Sequence, residues 1–164
     1  MKGSGEKPAQ SSSINIGTIL RLTLRLFQFV MGIVVIGLYA QDLKAARDQG
    51  KYVDSKWVWA TFVGALSSFL AVVFSLPLIK SWWFFWIDAL VWFFWLVVFG
   101  IFGKMYIKED PEGNKGIIRM KRAVWIDLVN LFLWLISACY GAFIFWKARK
   151  ARSQYTGRAQ EHVV

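Results

Sequence analysis

Four long stretches in which apolar residues occupy nearly every position alternate with shorter polar segments. The first runs from about Leu20 to Ala40, its opening interrupted by Arg21, Arg25 and Gln28. The second, Trp57 to Ile79, is 23 residues without a charge. The third, Trp82 to Phe102, carries one charge, Asp88; the fourth, Ala123 to Trp146, has Asp127 and Asn130 near its start. At the helical rise of 1.5 Å per residue the second run reaches roughly 34 Å, enough to cross a hydrocarbon core of about 30 Å. Strands of a membrane barrel are about 9–11 residues long and alternate in polarity. These runs are twice that length and apolar on nearly every face, so they predict an all-α fold. The expected architecture is a polytopic membrane protein, an antiparallel four-helix transmembrane bundle with spans at about 20–40, 57–79, 82–102 and 123–146.

The polar segments predict the connections. Residues 1–13, rich in Ser, Gly, Lys and Pro, read as a disordered tail. Gln41 to Lys56 is a charged loop, and Lys80-Ser81 alone joins the second and third runs, which requires a tight helical hairpin. Pro77 falls in the last turn of the second run, where proline costs less than in the middle. Gly103 to Arg122 contains Asp110-Pro111-Glu112-Gly113-Asn114, which is turn chemistry. The membrane domain is expected over 14–150 and a mobile basic tail over 151–164. A signal peptide is the competing reading of the first run. The segment ahead of that run is long for one, and Leu38-Tyr39-Ala40 is a poor cleavage site.

Composition sharpens this reading. Apolar residues make up 57% of the chain, with ten Trp and fourteen Phe, against roughly 45–50% in ordinary globular domains. A soluble domain of this size would expose much of that surface and aggregate. The net charge of +10 lies almost wholly outside the apolar runs, so anionic lipid headgroups, not nucleic acid, are the expected partner. Trp57, Trp59, Trp82, Trp83, Trp125 and Trp146 lie at span ends, where aromatic belts form. Trp92 and Trp95 are deeper and would face lipid, a neighbouring helix or sterol.

Four spans put both termini on one side. The Lys and Arg count is ten on that side and ten in the two large loops, so the positive-inside rule does not decide orientation. The basic cluster after Trp146, from Lys147 to Arg152, favours cytoplasmic termini.

Ionisable residues inside a span cost about 2.5–3.5 kcal/mol each on insertion scales, so Asp88 and Asp127 need partners. In alternating helices Asp88 lies near the terminal side, in the same layer as Arg21 and Arg25, and an Arg25–Asp88 contact is expected. Asp127 lies toward the loop side, near Tyr39, Gln41, Lys44, Lys56, Lys121 and Arg122. Asn130, one turn deeper, could bond across helices. Gly64, Ser68 and Ala71, with Ala60 and Ser75, form a small-residue face for close helix packing. Asp127, Asn130, Trp134, Ser137 and Gly141 form one face of the fourth span, and Arg25, Gln28, Gly32 and Tyr39 one face of the first. A proton relay is the functional alternative for the two acids, but no third acid or histidine links them. Cys139 is the only cysteine and His162 the only histidine. No nucleophile–base pair, haem site or metal cluster is formed by such a set, so neither an enzyme nor a cofactor is expected.

The first span reads Leu20-Arg21-Leu22-Thr23-Leu24-Arg25-Leu26-Phe27-Gln28-Phe29-Val30 and closes on Gly37-Leu38-Tyr39. Together with two polar loops alternating with one tight turn, this resembles fungal MARVEL-domain proteins over about Ile14 to Lys150. The resemblance implies an M-shaped four-helix bundle with both termini in the cytosol. It also implies a role in membrane apposition, vesicle trafficking or lateral organisation of lipid domains, without catalytic residues. Some members carry a cysteine pair in an extracytoplasmic loop, and neither loop here has a cysteine. The function expected is a non-enzymatic membrane-organising or trafficking scaffold of the plasma membrane or secretory vesicles. Its partners would be anionic lipid headgroups or sterol, other membrane proteins or a second copy of itself. A small four-helix transporter or channel is the alternative.

Overall fold

The computed structural model describes residues 16–52, 54–76 and 84–157, the last six by backbone alone. The segment 1–13, Pro77, Lys80-Ser81, Trp82, Trp83 and everything from Arg158 onward lie outside the described residues. Four helices make up the fold: α1 (Ile16–Asp48), α2 (Ser55–Ser75), α3 (Phe85–Tyr106) and α4 (Lys115–Gly157). All four are long and apolar enough to cross a membrane, and no strand occurs among the described residues.

The helices depart from the apolar runs at their ends, and the local chemistry gives the reasons. α1 runs through Gln41 to Asp48, into what hydropathy marks as loop. Leu43-Lys44-Ala45-Ala46-Arg47 is a string of good helix formers, and nothing in it breaks a helix. Gly50 ends the helix at φ 63°, a conformation that only glycine adopts without strain. Its N–H donates to the Arg47 carbonyl (3.0 Å) and that of Lys51 to the Ala46 carbonyl (2.9 Å), the paired bonds of a Schellman motif.

α2 opens on Asp54, whose Oδ1 accepts from the Lys56 backbone N–H at 3.0 Å, an N-cap. That N–H holds the Asp54 carboxyl below the usual carboxylate range. The helix stops at Ser75, four residues short of Ile79, with Leu76 extended at φ −71°, ψ 134°. Pro77 follows in the sequence, and a residue before proline is driven out of the helical region. α4 begins at Lys115, where Asn114 Oδ1 accepts from the Gly116 N–H (2.9 Å). It continues to Gly157, so the start of the tail expected to be mobile is helical.

α1 packs most extensively on α2 and α3 on α4; α1 and α4 join the two pairs, α2 touches α3 little, and among the described residues the backbones of α1 and α3 and of α2 and α4 do not meet. Small residues set the α1–α2 seam. A Cβ on Gly32 would fall 2.2 Å from Ser68 Oγ and 3.1 Å from the Gly64 carbonyl oxygen. The core holds Val35, Tyr39, Val63, Val91, Trp95, Val98, Phe102, Val124 and Trp134, drawn from all four helices.

Candidate functional site

Most of the buried polar side chains of the long apolar helices fall in two layers. Both are built on the face of α1 that carries Arg25, Gln28, Gly32, Val35 and Tyr39, all buried. Arg25 and Tyr39 are 14 positions apart, roughly 21 Å along the helix. Buried Gly32 and Val35 separate the layers on α1.

The first layer centres on Arg25. Its Nη2 donates to Asp88 Oδ2 at 2.7 Å, and its Nη1 to Gln28 Oε1 at 2.8 Å. Gln28 Nε2 in turn donates to the Leu133 carbonyl and Ser137 Oγ, both at 3.1 Å. The guanidinium carbon stands 5.0 Å from the Phe74 ring centre and 5.3 Å from that of Trp134, within cation–π range. Asp88 is in the first turn of α3, where the helix dipole favours a negative charge. Arg25 is 6% exposed and Asp88 2%. Desolvating two such charges costs several kcal/mol each, and the pair is tolerable only with further hydrogen bonds of this kind. The layer ties α1 to α3 and α4, and Phe74 adds α2. Beside it Arg21 Nη2 donates to the Phe74 carbonyl at 2.9 Å.

In the second layer the Tyr39 hydroxyl donates to Asp127 Oδ2 at 2.5 Å, joining α1 to α4. Of the partners that depth allowed Asp127, the structure selects tyrosine and none of the lysines or arginines. Asn130 turns back on its own helix, donating from Nδ2 to the Ile126 carbonyl (3.1 Å), instead of bonding across helices. Asp127 Oδ1 and Asn130 Oδ1 are buried with no partner among the described residues. Phe102 packs on Tyr39 with ring centres 4.6 Å apart. Beyond this layer Asp42 pairs with Arg119, linking the polar extensions of α1 and α4.

The structure thus brings Arg25 and Asp88 together and holds Asp127 and Asn130 in a different layer. Gly64, Ser68 and Ala71 are buried on α2, and Ser68 Oγ lies 2.8 Å from the Gly64 carbonyl oxygen and 3.5 Å from that of Phe29. The Asp42–Arg119 pair escaped sequence reasoning because both residues sit in segments read as loop. Their one signal is opposite charge in the two polar segments expected on the same side.

Among the described residues two cavities adjoin these layers. One of about 130 Å³ is walled by α1, α3 and α4 with Phe74, and includes Arg21, Arg25 and Asp88. The other, about 190 Å³ and more open, lies between Asp42, Trp57, Tyr106 and the start of α4. Among the described residues no group of three or more His, Cys, Asp or Glu could hold a metal ion. The polar side chains mostly engage one another, so the arrangement can fasten helices, and it offers two separate buried carboxylates. Compared with protein-family models, curated proteins and solved structures, the chain matches none.

Proposed function

We propose that this chain is an integral membrane protein of four antiparallel spans, with both termini cytoplasmic, that acts as a non-enzymatic organiser of membranes or vesicle traffic. One observation carries the membrane reading: the polarity of the protein is inverted. Arg25, Gln28, Asp88, Asp127 and Asn130 are buried, while Leu26, Phe27, Phe62, Phe69, Phe93 and Phe143 are each more than half exposed. At most 39% of the most apolar stretch of any helix is covered within the chain. Water penalises such an exterior, whereas lipid tails are as apolar as the side chains they meet.

The scaffold reading is supported by how the polar groups are used. Arg25, Asp88, Gln28 and Ser137 are linked to one another, and the two carboxylates lie in separate layers. The likeness of the first span to MARVEL-domain proteins points the same way. The test is reconstitution in sealed liposomes, with proton and solute flux measured for the natural chain and Asp88→Asn. A scaffold gives no sustained flux in either. Flux that the substitution abolishes would sink the reading and favour a transporter. The second reading has one observation in its favour, the buried oxygens of Asp127 and Asn130 on one face of α4 that have no partner among the described residues.

A further inference from the structure

The 130 Å³ cavity beside the Arg25–Asp88 pair has unmet chemistry of three kinds. Asp88 lines it, and Asp88 Oδ1 is buried with no partner within hydrogen-bond distance among the described residues: Oδ2 is held by Arg25, and the Ser137 hydroxyl beside the carboxylate donates to the Trp134 carbonyl at 3.1 Å. A buried acceptor without a donor is costly, so whatever fills the cavity should present an N–H or O–H. The charges do not balance either. Two guanidinium groups, Arg21 and Arg25, share the cavity with one carboxylate. Arg25 is matched by Asp88, while among the described residues Arg21 bonds only the Phe74 carbonyl, which leaves most of its five N–H donors. The rest of the lining is chiefly apolar, with Leu20, Leu24, Phe85, Ile136 and Ile144.

A donor, a negative charge and an apolar body describe one class of molecule. We propose that this cavity binds an anionic membrane phospholipid whose headgroup carries a free hydroxyl, as a phosphoglycerol headgroup does. The hydroxyl donates to Asp88 Oδ1, the phosphate accepts from Arg21, and the acyl chains leave along Leu20, Leu24 and Ile144. An ammonium headgroup fits less well, because it adds a cation where positive charge is already in excess. The volume equals about four waters at roughly 30 Å³ each, room for a few headgroup atoms but not for a whole lipid, so the tails stay in the bilayer. The proposal rests on the membrane reading and deepens it by naming the lipid.

The test uses the full chain in phosphatidylcholine liposomes doped in turn with three lipids. Phosphatidylglycerol has both charge and hydroxyl, phosphatidylmethanol the charge alone, and diacylglycerol the hydroxyl alone. After mild detergent extraction, native mass spectrometry counts the lipid retained. Phosphatidylglycerol should be retained about tenfold over either control, the scale of one hydrogen bond to a charged group. Leu24→Phe, which fills the cavity, should erase both preferences with helical circular dichroism unchanged. Arg21→Gln, at the rim, should erase the preference over diacylglycerol. Equal retention of phosphatidylglycerol and phosphatidylmethanol, or a preference that survives Leu24→Phe, overturns the proposal. So does displacement of the lipid by soluble glycerol 3-phosphate, which would assign the site to a free polyol phosphate. A chain that does not float with liposomes refutes the membrane reading and this proposal with it. A chain that floats without discriminating refutes only the proposal.

Discussion

A single carboxylate shows how much the interior depends on pairing. Asp88 is 2% exposed and its charge is matched by Arg25 at 2.7 Å. Removing one member strands the other in a low-dielectric setting, so Asp88→Ala should lower stability by about 3–5 kcal/mol. The double change Arg25→Met with Asp88→Leu removes both charges and should recover most of that loss. Titrating folded fraction against sodium dodecyl sulfate in mixed micelles separates the two outcomes; a double variant no better than the single would refute pairing as the cause. Tyr39 poses a milder case. Tyr39→Phe keeps the ring against Phe102 and deletes only the hydroxyl that donates to Asp127. Hydrogen bonds in membrane proteins average about 0.6 kcal/mol in double-mutant cycles, and the carboxylate left behind adds to the cost. A loss of about 1 kcal/mol is expected in the same titration, and no loss in an Asp127→Leu background.

At the scale of the element, seams between helices and the ends of helices respond to different forces. The α1–α2 seam closes over Gly32, where a Cβ would meet Ser68 Oγ and the Gly64 carbonyl. The serine hydroxyl can rotate away, but the carbonyl is backbone and must move with its helix. Gly32→Ala should therefore cost about 1–3 kcal/mol as overpacking. Gly100→Ala, which meets nothing within 4 Å, should be neutral or stabilising by up to about 1 kcal/mol from helix propensity. Comparable losses at both positions would show that packing does not set the difference. Helix ends respond to pH instead. Folding depresses the Asp54 carboxyl, so its contribution is present above the unfolded value of 3.8 and is lost as pH falls through the lower folded value. Amide exchange at Lys56 and Trp57 should accelerate only in that acid range, and Asp54→Asn, which keeps an N-cap, should flatten the dependence. These ends were poorly legible in the sequence for a physical reason. Hydropathy reports which solvent a segment meets, not whether it is helical, so Gln41–Asp48 and Lys115–Arg122 read as loops while continuing α1 and α4 as helix. Gly50 and Asn114 carried the better signals, as stop and start. The layer shared by Arg25 and Asp88 was legible because depth follows from position along a span. The choice of Tyr39 for Asp127 was not, because it depends on the rotation of each helix about its axis, which depth leaves open.

For the molecule as a whole, the proposed membrane insertion makes charge the guide to orientation. In the proposed four-span arrangement, ten basic residues on each side balance the positive-inside rule. Distribution then matters more than number. On the loop side Arg119 is paired with Asp42, and Lys56 with Asp54 at 3.4 Å. Six acidic residues lie in those loops, against two on the terminal side. On the terminal side Lys147, Arg149 and Lys150 are exposed on α4 just past Trp146, within the distance from a span end over which basic residues act on orientation. α4 is 43 residues long, roughly 65 Å at the helical rise, about twice the hydrocarbon core. In the proposed insertion its basic end leaves the bilayer as continuous helix, where anionic headgroups would hold each Lys or Arg by about 1 kcal/mol. If this cluster fixes cytoplasmic termini, replacing Lys147, Arg149 and Lys150 with Gln leaves seven basic residues against ten and should produce a mixture of orientations. Protease protection of a C-terminal tag in sealed microsomes reads this directly. The natural chain should be cleaved completely from the cytoplasmic face and the triple variant only in part. Complete cleavage of both would remove the cluster as the determinant and shift it to the basic residues at the start of α1.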